Sequence, residues 1–119
     1  MVPMKKLILF LFLTVFVFTA AAYSAEKPKY SEKTITVQAY AYCYHSRTAT
    51  GSYADTGTIA VDPKVIPLGS KIYVPGYGWG KALDTGGAIK GNKIDIWFPT
   101  EKQCYSWGVR TVKIKIIAK

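Results

Sequence analysis

Short runs of β-branched and aromatic residues alternate along this chain with turns rich in glycine and proline. The clearest run, Thr34–Tyr42 (TITVQAYAY), nearly alternates apolar and polar positions, and Val109–Ile117 places Val112, Ile114 and Ile116 on one face. Shorter strands are predicted at Gly57–Val61, Lys71–Val74, Lys81–Leu83 and Ile94–Phe98. Because closure of a sheet removes its exposed edges, six short strands favour an all-β barrel.

One helix is predicted, over Glu101–Trp107. Thr100 is followed by Gln103 in the S/T-x-x-E/Q arrangement of a capping box, and Gly108 can take the left-handed conformation that ends a helix. The predicted architecture is therefore six strands with one short helix.

The first 22 residues read as a secretory signal peptide. Lys5 and Lys6 precede an uncharged run, Leu7–Ala22, that ends in three alanines. A retained membrane anchor is the alternative, but a spanning helix normally needs about 18 or more apolar residues. Residues 23–33 are predicted as a flexible lead-in and residues 34–119 as the folded domain. We expect a secreted protein that meets a membrane only through an uncleaved signal segment.

The chain is strongly basic. Sixteen Lys and Arg residues against seven Asp and Glu give a net charge of +9. Such a charge favours polyanionic surroundings, which outside the membrane include an anionic cell wall. The lysines are scattered and no nucleic-acid-binding module is recognisable, so no nucleic-acid partner is expected.

Two cysteines and one histidine limit the chemistry further. In an oxidising compartment Cys43 and Cys104 can form a disulfide that closes a loop of about sixty residues, and two separate thiols are the alternative. Neither cysteine has CxxC spacing and His45 is the only histidine. A metal site, a Cys-His nucleophile and a bound cofactor are therefore not expected.

Three aspartates stand out by their surroundings. Asp62, Asp84 and Asp95 lie in AVDPKVIPLG, ALDTGGAIKG and KIDIWF, which are apolar or glycine-rich sequences. A carboxylate removed from water needs hydrogen bonds, a cation or a proton to offset the cost. Three of them in one small domain predict a functional site.

The residues next to these aspartates suggest how a ligand is held. Strand alternation puts Asp95 and Trp97 on one face, where an indole can carry the apolar face of a pyranose while the acid reaches the glycosidic oxygen. Glycines after Asp84 can take positive φ and expose N–H groups. The expected substrate contacts are Thr50, Thr85, Gly86, Gly87, Lys90 and Trp97, with Lys90 either stabilising developing charge or pairing with Asp84.

Several segments together resemble a known family. They are AYAY (39–42), TATG (48–51), GTIAVDP (57–63), IPLG (66–69), ALDTGGAIKG (82–91), IDI (94–96) and WG (107–108). This set is similar to the 3D domain, named for its three aspartates, which in turn is similar to the catalytic barrel of MltA-type lytic transglycosylases and to stationary-phase-survival proteins. The resemblance implies a six-stranded double-psi β-barrel that cleaves peptidoglycan.

The resemblance also implies roles for the three aspartates. Asp95 falls on the catalytic acid, and Asp62 and Asp84 support it. A lytic transglycosylase breaks the MurNAc-GlcNAc β-1,4 bond without water: the C6 hydroxyl attacks the anomeric carbon and leaves a 1,6-anhydro end, so one residue can act as acid and then as base. Asp95 then needs a raised pKa, which burial beside Trp97 and the charge of Asp84 would provide.

Other functions compete with this one. A hydrolase would use Asp84 or Asp62 as a second carboxylate, whereas Asp62 can instead bind backbone N–H groups and fix a loop. A small basic barrel can also bind an anionic wall without turnover. Finally, Asp84-Thr85-Gly86 spells the motif of aspartic proteases that act as homodimers, but that reading leaves Asp62 and Asp95 unexplained.

Overall fold

The computed structural model describes residues 29–119, in which six strands close into a barrel. The elements are β1 (Ser31–Tyr42), β2 (Thr58–Val61), β3 (Lys71–Val74), β4 (Gly78–Asp84), β5 (Lys93–Trp97), the helix α1 (Glu101–Trp107) and β6 (Arg110–Ala118). Around the barrel the order is β1-β5-β2-β4-β3-β6. The pairs β1–β5 and β2–β4 are parallel and the other four pairs are antiparallel. The predicted all-β class and six-stranded double-psi barrel with one short helix are confirmed.

Two strands are longer than the sequence predicts. β1 begins at Ser31, because residues 31–33 pair with residues 116–118 of β6, so the end of the predicted lead-in is strand. β4 begins at Gly78 rather than Lys81, since residues 78–80 pair with residues 72–74 of β3. A Cβ on Gly80 would lie 2.7 Å from the carbonyl oxygen of Gly57, so glycine is what permits this close approach.

The predicted signal peptide, residues 1–22, lies outside the described residues, as does the lead-in up to residue 28. Within residues 29–119, no helix combines the length and the apolar character that a membrane crossing requires.

The barrel interior is filled mainly by isoleucines. Ile59, Ile72, Ile94, Ile96 and Ile114 are fully buried, in keeping with strand alternation. These side chains join residues from all six strands and α1 in one continuous core.

Helix α1 is fixed at both ends and along one side. The Thr100 hydroxyl accepts a hydrogen bond from the backbone N–H of Gln103 at 3.2 Å, and Gly108 ends the helix with φ of 66°, as predicted. Trp107, the buried residue of the helix, donates from Nε1 to the carbonyl oxygen of Ala39 in β1 at 3.0 Å. The helix is thereby held against the barrel beside β1.

Strand register brings two of the three aspartates to one side of the barrel. Ala60 of β2 is in register with Asp95 of β5 and, on its other side, with Asp84 of β4. Tyr40 of β1 is in turn opposite Asp95. Directly opposite residues on neighbouring strands share a face, so both carboxylates flank the small side chain of Ala60.

Candidate active site

Asp84 and Asp95 form the centre of the candidate site. Asp84 is the last residue of β4 and Asp95 lies in the middle of β5. One strand, β2, separates them, and a spacing of ~4.8 Å between strands puts their Cα atoms about 10 Å apart. The residue between them, Ala60, has only a methyl side chain and is 4% exposed. The two acidic residues therefore lie on either side of Ala60, whose methyl group is too small to fill the space between their side chains.

The carboxylate of Asp84 is held by three donors. The Tyr42 hydroxyl donates to Oδ2 at 3.2 Å, while the backbone N–H groups of Ala49 and Thr85 donate to Oδ1 at 3.0 and 2.9 Å. The neighbouring carboxylate is that of Asp95, so the acidic pair within one chain is Asp84 with Asp95.

Asp95 has the opposite environment. Its side chain is half-buried, and its Oδ1 atom is buried without any hydrogen-bond partner among the described residues. Burial raises the pKa of Asp95 to about 6, and the charge of Asp84 adds to the effect. The raised pKa agrees with the sequence-based expectation for a group that acts first as an acid.

A cavity gives access to Asp95. It has a volume of about 340 Å³ and is lined by Tyr40, Ala41, Ala88, Ile89, Lys93 and Asp95. That volume lies within the range of ~300–1,000 Å³ found for ligand sites. The Lys93 ammonium lies 5.9 Å from the centre of the Tyr40 ring, so a cation and an aromatic ring stand at the same opening as the acid.

Tyr42 belongs to the site, and sequence reasoning gave it no role. Burial raises the pKa of its phenol, and the charges of Asp84 and then Asp95 raise it further, so the hydroxyl keeps its proton and remains a donor to Asp84. Its position at the end of β1, on the same face as Tyr40, was the available signal. The backbone N–H of Ala49 had no such signal in the sequence.

Asp62 does not join this pair. Only 7% of its surface is exposed, and its two oxygens accept hydrogen bonds from the N–H groups of Lys64 at 3.0 Å and Gly91 at 2.9 Å. The bonds from Gly91 and Lys64 lower the pKa of Asp62, and the charges of Lys90 and Lys64 act in the same direction. Asp62 ties the turn after β2 to the loop before β5, which was the alternative role foreseen for it. Both of its carboxylate oxygens are thus occupied by backbone donors.

The other predicted contact residues have mixed outcomes. Lys90 lies near Asp62, and the ion pair with Asp84 does not form within residues 29–119. The backbone N–H that reaches Asp84 after β4 is that of Thr85, and Gly86 and Gly87 do not have positive φ. In this loop the positive φ, 71°, belongs to Gly91, whose N–H binds Asp62.

Thr50 fixes the loop that binds Asp84. Its hydroxyl and its backbone N–H both donate to the carbonyl oxygen of Leu83, at 2.9 and 3.2 Å. Leu83 directly precedes Asp84, so Thr50 holds the loop of residues 48–52 against the end of β4, where Ala49 can reach the carboxylate. Its hydroxyl donates to the protein backbone, and its contact with substrate stays a prediction.

Trp97 is not an open sugar platform, which corrects the expectation from strand alternation. Its side chain is 3% exposed, its Nε1 donates to the carbonyl oxygen of Tyr44 at 3.1 Å, and the His45 ring packs on it with 5.4 Å between centroids. Alternation correctly separates Trp97 from the core face, but the segment after β1 folds over it. A pyranose has no access to the indole in this structure.

Cys43 and Cys104 are free thiols and are neighbours. Burial raises the pKa of Cys104, and the Cys43 thiol is the next cause, with the charge of Asp95 contributing less. The two thiols thus lie on the Asp95 side of the barrel, and their disulfide remains a prediction. Across residues 29–119, no group of three or more His, Cys, Asp or Glu side chains is arranged to hold a metal ion.

Comparison with solved structures identifies the same barrel elsewhere. A crystal structure of MltA from E. coli superposes on 64% of this chain and 28% of that protein, with a TM-score of 0.52 and 21% identity. At this identity the likeness concerns the fold alone.

Sequence relatives come from Bacillus subtilis (strain 168). YabE, whose name refers to cell wall shaping, is 58% identical over 74 residues, which cover 59% of this chain and 18% of that protein. The cell wall-binding protein YocH is 55% identical over 74 residues, which cover 59% of this chain and 26% of that protein. The matched segment is thus well under a third of either relative. The family model of the 3D domain matches residues 57–118, and the chain belongs to the 3D domain family.

Proposed function

We propose that this protein acts on the bacterial cell wall as a lytic transglycosylase, cleaving the MurNAc-GlcNAc β-1,4 bond of peptidoglycan with Asp95 as the single general acid and base. One observation carries the proposal. Asp95 lines a cavity, has a pKa of about 6, and has no hydrogen-bond partner at its buried Oδ1 among the described residues. Such a group is protonated often enough near neutral pH to donate a proton.

The proposed reaction needs no second catalytic carboxylate. Asp95 donates its proton to the glycosidic oxygen as the bond from that oxygen to the anomeric carbon breaks. The C6 hydroxyl of the same MurNAc attacks the anomeric carbon, and the Asp95 carboxylate takes the hydroxyl proton. The products are a free C4 hydroxyl and a 1,6-anhydro ring, and the acid is regenerated.

Asp84 has a positioning role in this scheme. Its charge holds the proton on Asp95, and its own place is fixed by the Tyr42 hydroxyl and two backbone N–H groups. Asp62 has an indirect role. It binds the N–H of Gly91 and so fixes the loop that carries Ala88 and Ile89 to the cavity.

Three further observations support a role at the cell wall. YabE and YocH carry cell-wall names, and the barrel of MltA, titled a lytic transglycosylase, has the same fold. The net charge suits an anionic wall: it is +9 for the full chain and 9 − 2 = +7 once Lys5 and Lys6 leave with the predicted signal peptide. We therefore also propose an extracytoplasmic location, reached through the N-terminal signal sequence.

Mass spectrometry of purified peptidoglycan after incubation with the protein tests the proposal. The expected products end in 1,6-anhydro-MurNAc, and Asp95→Asn should abolish them while co-sedimentation with sacculi is retained. Reducing ends in their place would mean that water is the nucleophile and that the protein is a hydrolase. No cleavage by the wild-type protein under conditions where it binds sacculi would refute the enzymatic proposal.

A non-catalytic wall-binding module is the second candidate. It is favoured by the covered indole of Trp97, which removes the expected sugar platform beside the acid, and by the name of YocH. This candidate predicts that Asp95→Asn and the wild-type protein bind sacculi equally and that neither releases anhydro-muropeptides.

A further inference from the structure

The outer surface of β3 and β4 carries two exposed aromatic rings side by side. Tyr73 and Trp79 are directly opposite in the antiparallel pair, their ring centroids are 5.3 Å apart, and they are 40% and 55% exposed. Tyr53 of the neighbouring loop is 67% exposed. Trp97 and Trp107 are both nearly buried, so Trp79 is the tryptophan that meets solvent. An exposed aromatic group of this kind often marks a binding surface.

Two lysines lie in the next row of the same sheet. Lys71 and Lys81 are directly opposite each other, two register positions from Tyr73 and Trp79 and so on the same face. Like charges at opposite positions destabilise a sheet. The ion pair within residues 29–119 is Lys115 with Glu32, so neither lysine has a carboxylate partner in that range. An anionic ligand would relieve this repulsion.

Tyr53, Trp79 and the lysine pair line two adjoining cavities, whereas Tyr73 lies outside both linings. One has a volume of about 670 Å³ and includes Tyr53, Trp79, Lys71 and Lys81 in its lining, with Asp55 as its acidic member. The other, of about 710 Å³, shares Lys71, Lys81 and Ile117 with the first. We call the two together the lysine-aromatic groove. Because the lysine pair lies where the two cavities meet, the groove suits an extended polymer better than a compact ligand.

The lysine-aromatic groove is separate from the Asp95 cavity but connected to it through one loop. The two sites share no lining residue. Residues 48–53 run between them: the N–H of Ala49 binds Asp84, whereas Ser52 and Tyr53 line the groove. Leu83 lines the groove as well and directly precedes Asp84. A polymer held in the groove therefore contacts the loop that fixes Asp84.

We propose that the lysine-aromatic groove is a second binding site, for a peptidoglycan strand whose sugar faces rest on Trp79 and Tyr53 and whose carboxylates meet Lys71 and Lys81. The choice of peptidoglycan rests on the proposed function, whereas the chemistry of the groove calls for an anionic saccharide chain. Aromatic rings offer apolar faces to sugar C–H groups, and the lysines supply the charge complementarity. The groove would raise the local concentration of substrate at Asp95.

Sedimentation of the purified protein with sacculi tests this site. The sacculi are first stripped of phosphate-bearing polymers with acid, so that carboxylates are the remaining anions. Trp79→Ala and the double variant Lys71→Glu/Lys81→Glu should each bind at least about tenfold more weakly than wild type. Soluble glycan fragments should also change the tryptophan emission of the wild-type protein and not that of Trp79→Phe.

Matched control variants separate binding in the groove from nonspecific binding to the rest of the surface. Tyr105→Ala removes a ring that is 84% exposed on α1, and Lys33→Glu/Lys113→Glu makes the same charge change on exposed positions of β1 and β6. Both controls should bind within about twofold of wild type if the groove is the site. Equal weakening by both double variants would reduce the effect to net charge and overturn the proposal.

Three further outcomes also decide between the proposals. Wild-type binding to untreated sacculi but not to stripped sacculi would make the ligand a phosphate-bearing polymer and overturn the assignment to peptidoglycan. If Trp79→Ala binds stripped sacculi normally while the wild-type protein still releases anhydro products, the groove proposal fails and the lytic proposal stands. If the groove variants lose binding but the wild-type protein cleaves nothing, only the lytic proposal fails.

Discussion

Asp62 and Asp95 are the same residue type in similarly apolar sequence, yet the folded barrel gives their carboxylates opposite environments. Asp62 accepts hydrogen bonds from two backbone N–H groups, which lower its pKa and keep it ionised. Asp95 has one buried oxygen with no partner and a second carboxylate nearby, which raise its pKa to about 6. The number of donors, and not the degree of burial alone, separates a positioning carboxylate from a candidate acid.

The largest expected effect is on catalysis. Asp95→Asn should lower the rate of anhydro-product formation by about 10²–10⁴-fold, because the amide cannot donate a proton to the leaving oxygen. The matched substitution Asp62→Asn should cause a far smaller loss, since it changes only the loop support. Rates are measured by liquid chromatography of released muropeptides. Equal losses of rate in the two variants would contradict the proposal that Asp95, and not Asp62, is the acid.

The pH dependence should follow the raised pKa of the candidate acid. For the wild-type protein we expect kcat/KM to fall about tenfold for each pH unit above about 6, where Asp95 loses its proton. Tyr42→Phe removes the hydroxyl that binds Asp84 but leaves Asp95 in place, so it should shift this profile and not eliminate it. A profile flat from pH 5 to 9 would exclude Asp95 as the acid.

The redox state of Cys43 and Cys104 should affect the stability of the fold. If Cys43 and Cys104 join, the closed loop of about sixty residues should stabilise the fold by about 4 kcal/mol on the chain-entropy model. Urea unfolding with and without reductant measures this difference, and Cys104→Ser should abolish it. Denaturant curves that coincide under both conditions, with an intact disulfide shown by mass, would contradict the expected gain.

The two aspartates should also give opposite pH effects on stability. Because the pKa of Asp95 is raised, its ionisation disfavours the fold above about pH 6, and the effect vanishes below its ordinary value of 3.8. Asp95→Asn should therefore stabilise the protein at pH 8, by roughly 1–2 kcal/mol after allowance for solvent screening, and have little effect at pH 3. Thermal or urea unfolding at both pH values measures this.

For Asp62 the sign reverses, and the effect is expected to be the smallest. Its pKa is lowered from 3.8, so the stabilisation from its ionised form is complete above that value and is lost as the pH falls through the folded pKa. Asp62→Asn should thus be less stable than wild type at pH 7, and the two should converge in strong acid. A gap that widens on acidification would reverse the assigned role.

Much of the fold was within reach of the sequence. Runs of β-branched and aromatic residues between glycine- and proline-rich turns located all six strands, and the capping residues Thr100 and Gly108 set both ends of α1 as observed. The start of β4 was missed because Gly78 and Gly80 have poor strand propensity, and only pairing with β3 makes them strand. β1 was likewise extended by its pairing with β6.

The site was predicted less completely than the fold. The apolar surroundings of Asp84 and Asp95 marked them as chemically unusual, and Asp95 does have a raised pKa. Trp97 was misjudged, since period-two alternation gives the face of a side chain but not whether Tyr44 and His45 cover it. Tyr42 and Ala49 were missed because their partner, Asp84, is 42 and 35 residues away in sequence.

The sequence by itself determined the barrel class, the short helix and the family, because these depend on local periodicity, caps and motif residues. Tertiary structure alone decided which aspartates meet, since register sets Ala60 between Asp84 and Asp95 and leaves Asp62 to the amides of Lys64 and Gly91. Proton affinity depends on donors and charges within a few ångströms, and chain closure brings those together from distant positions.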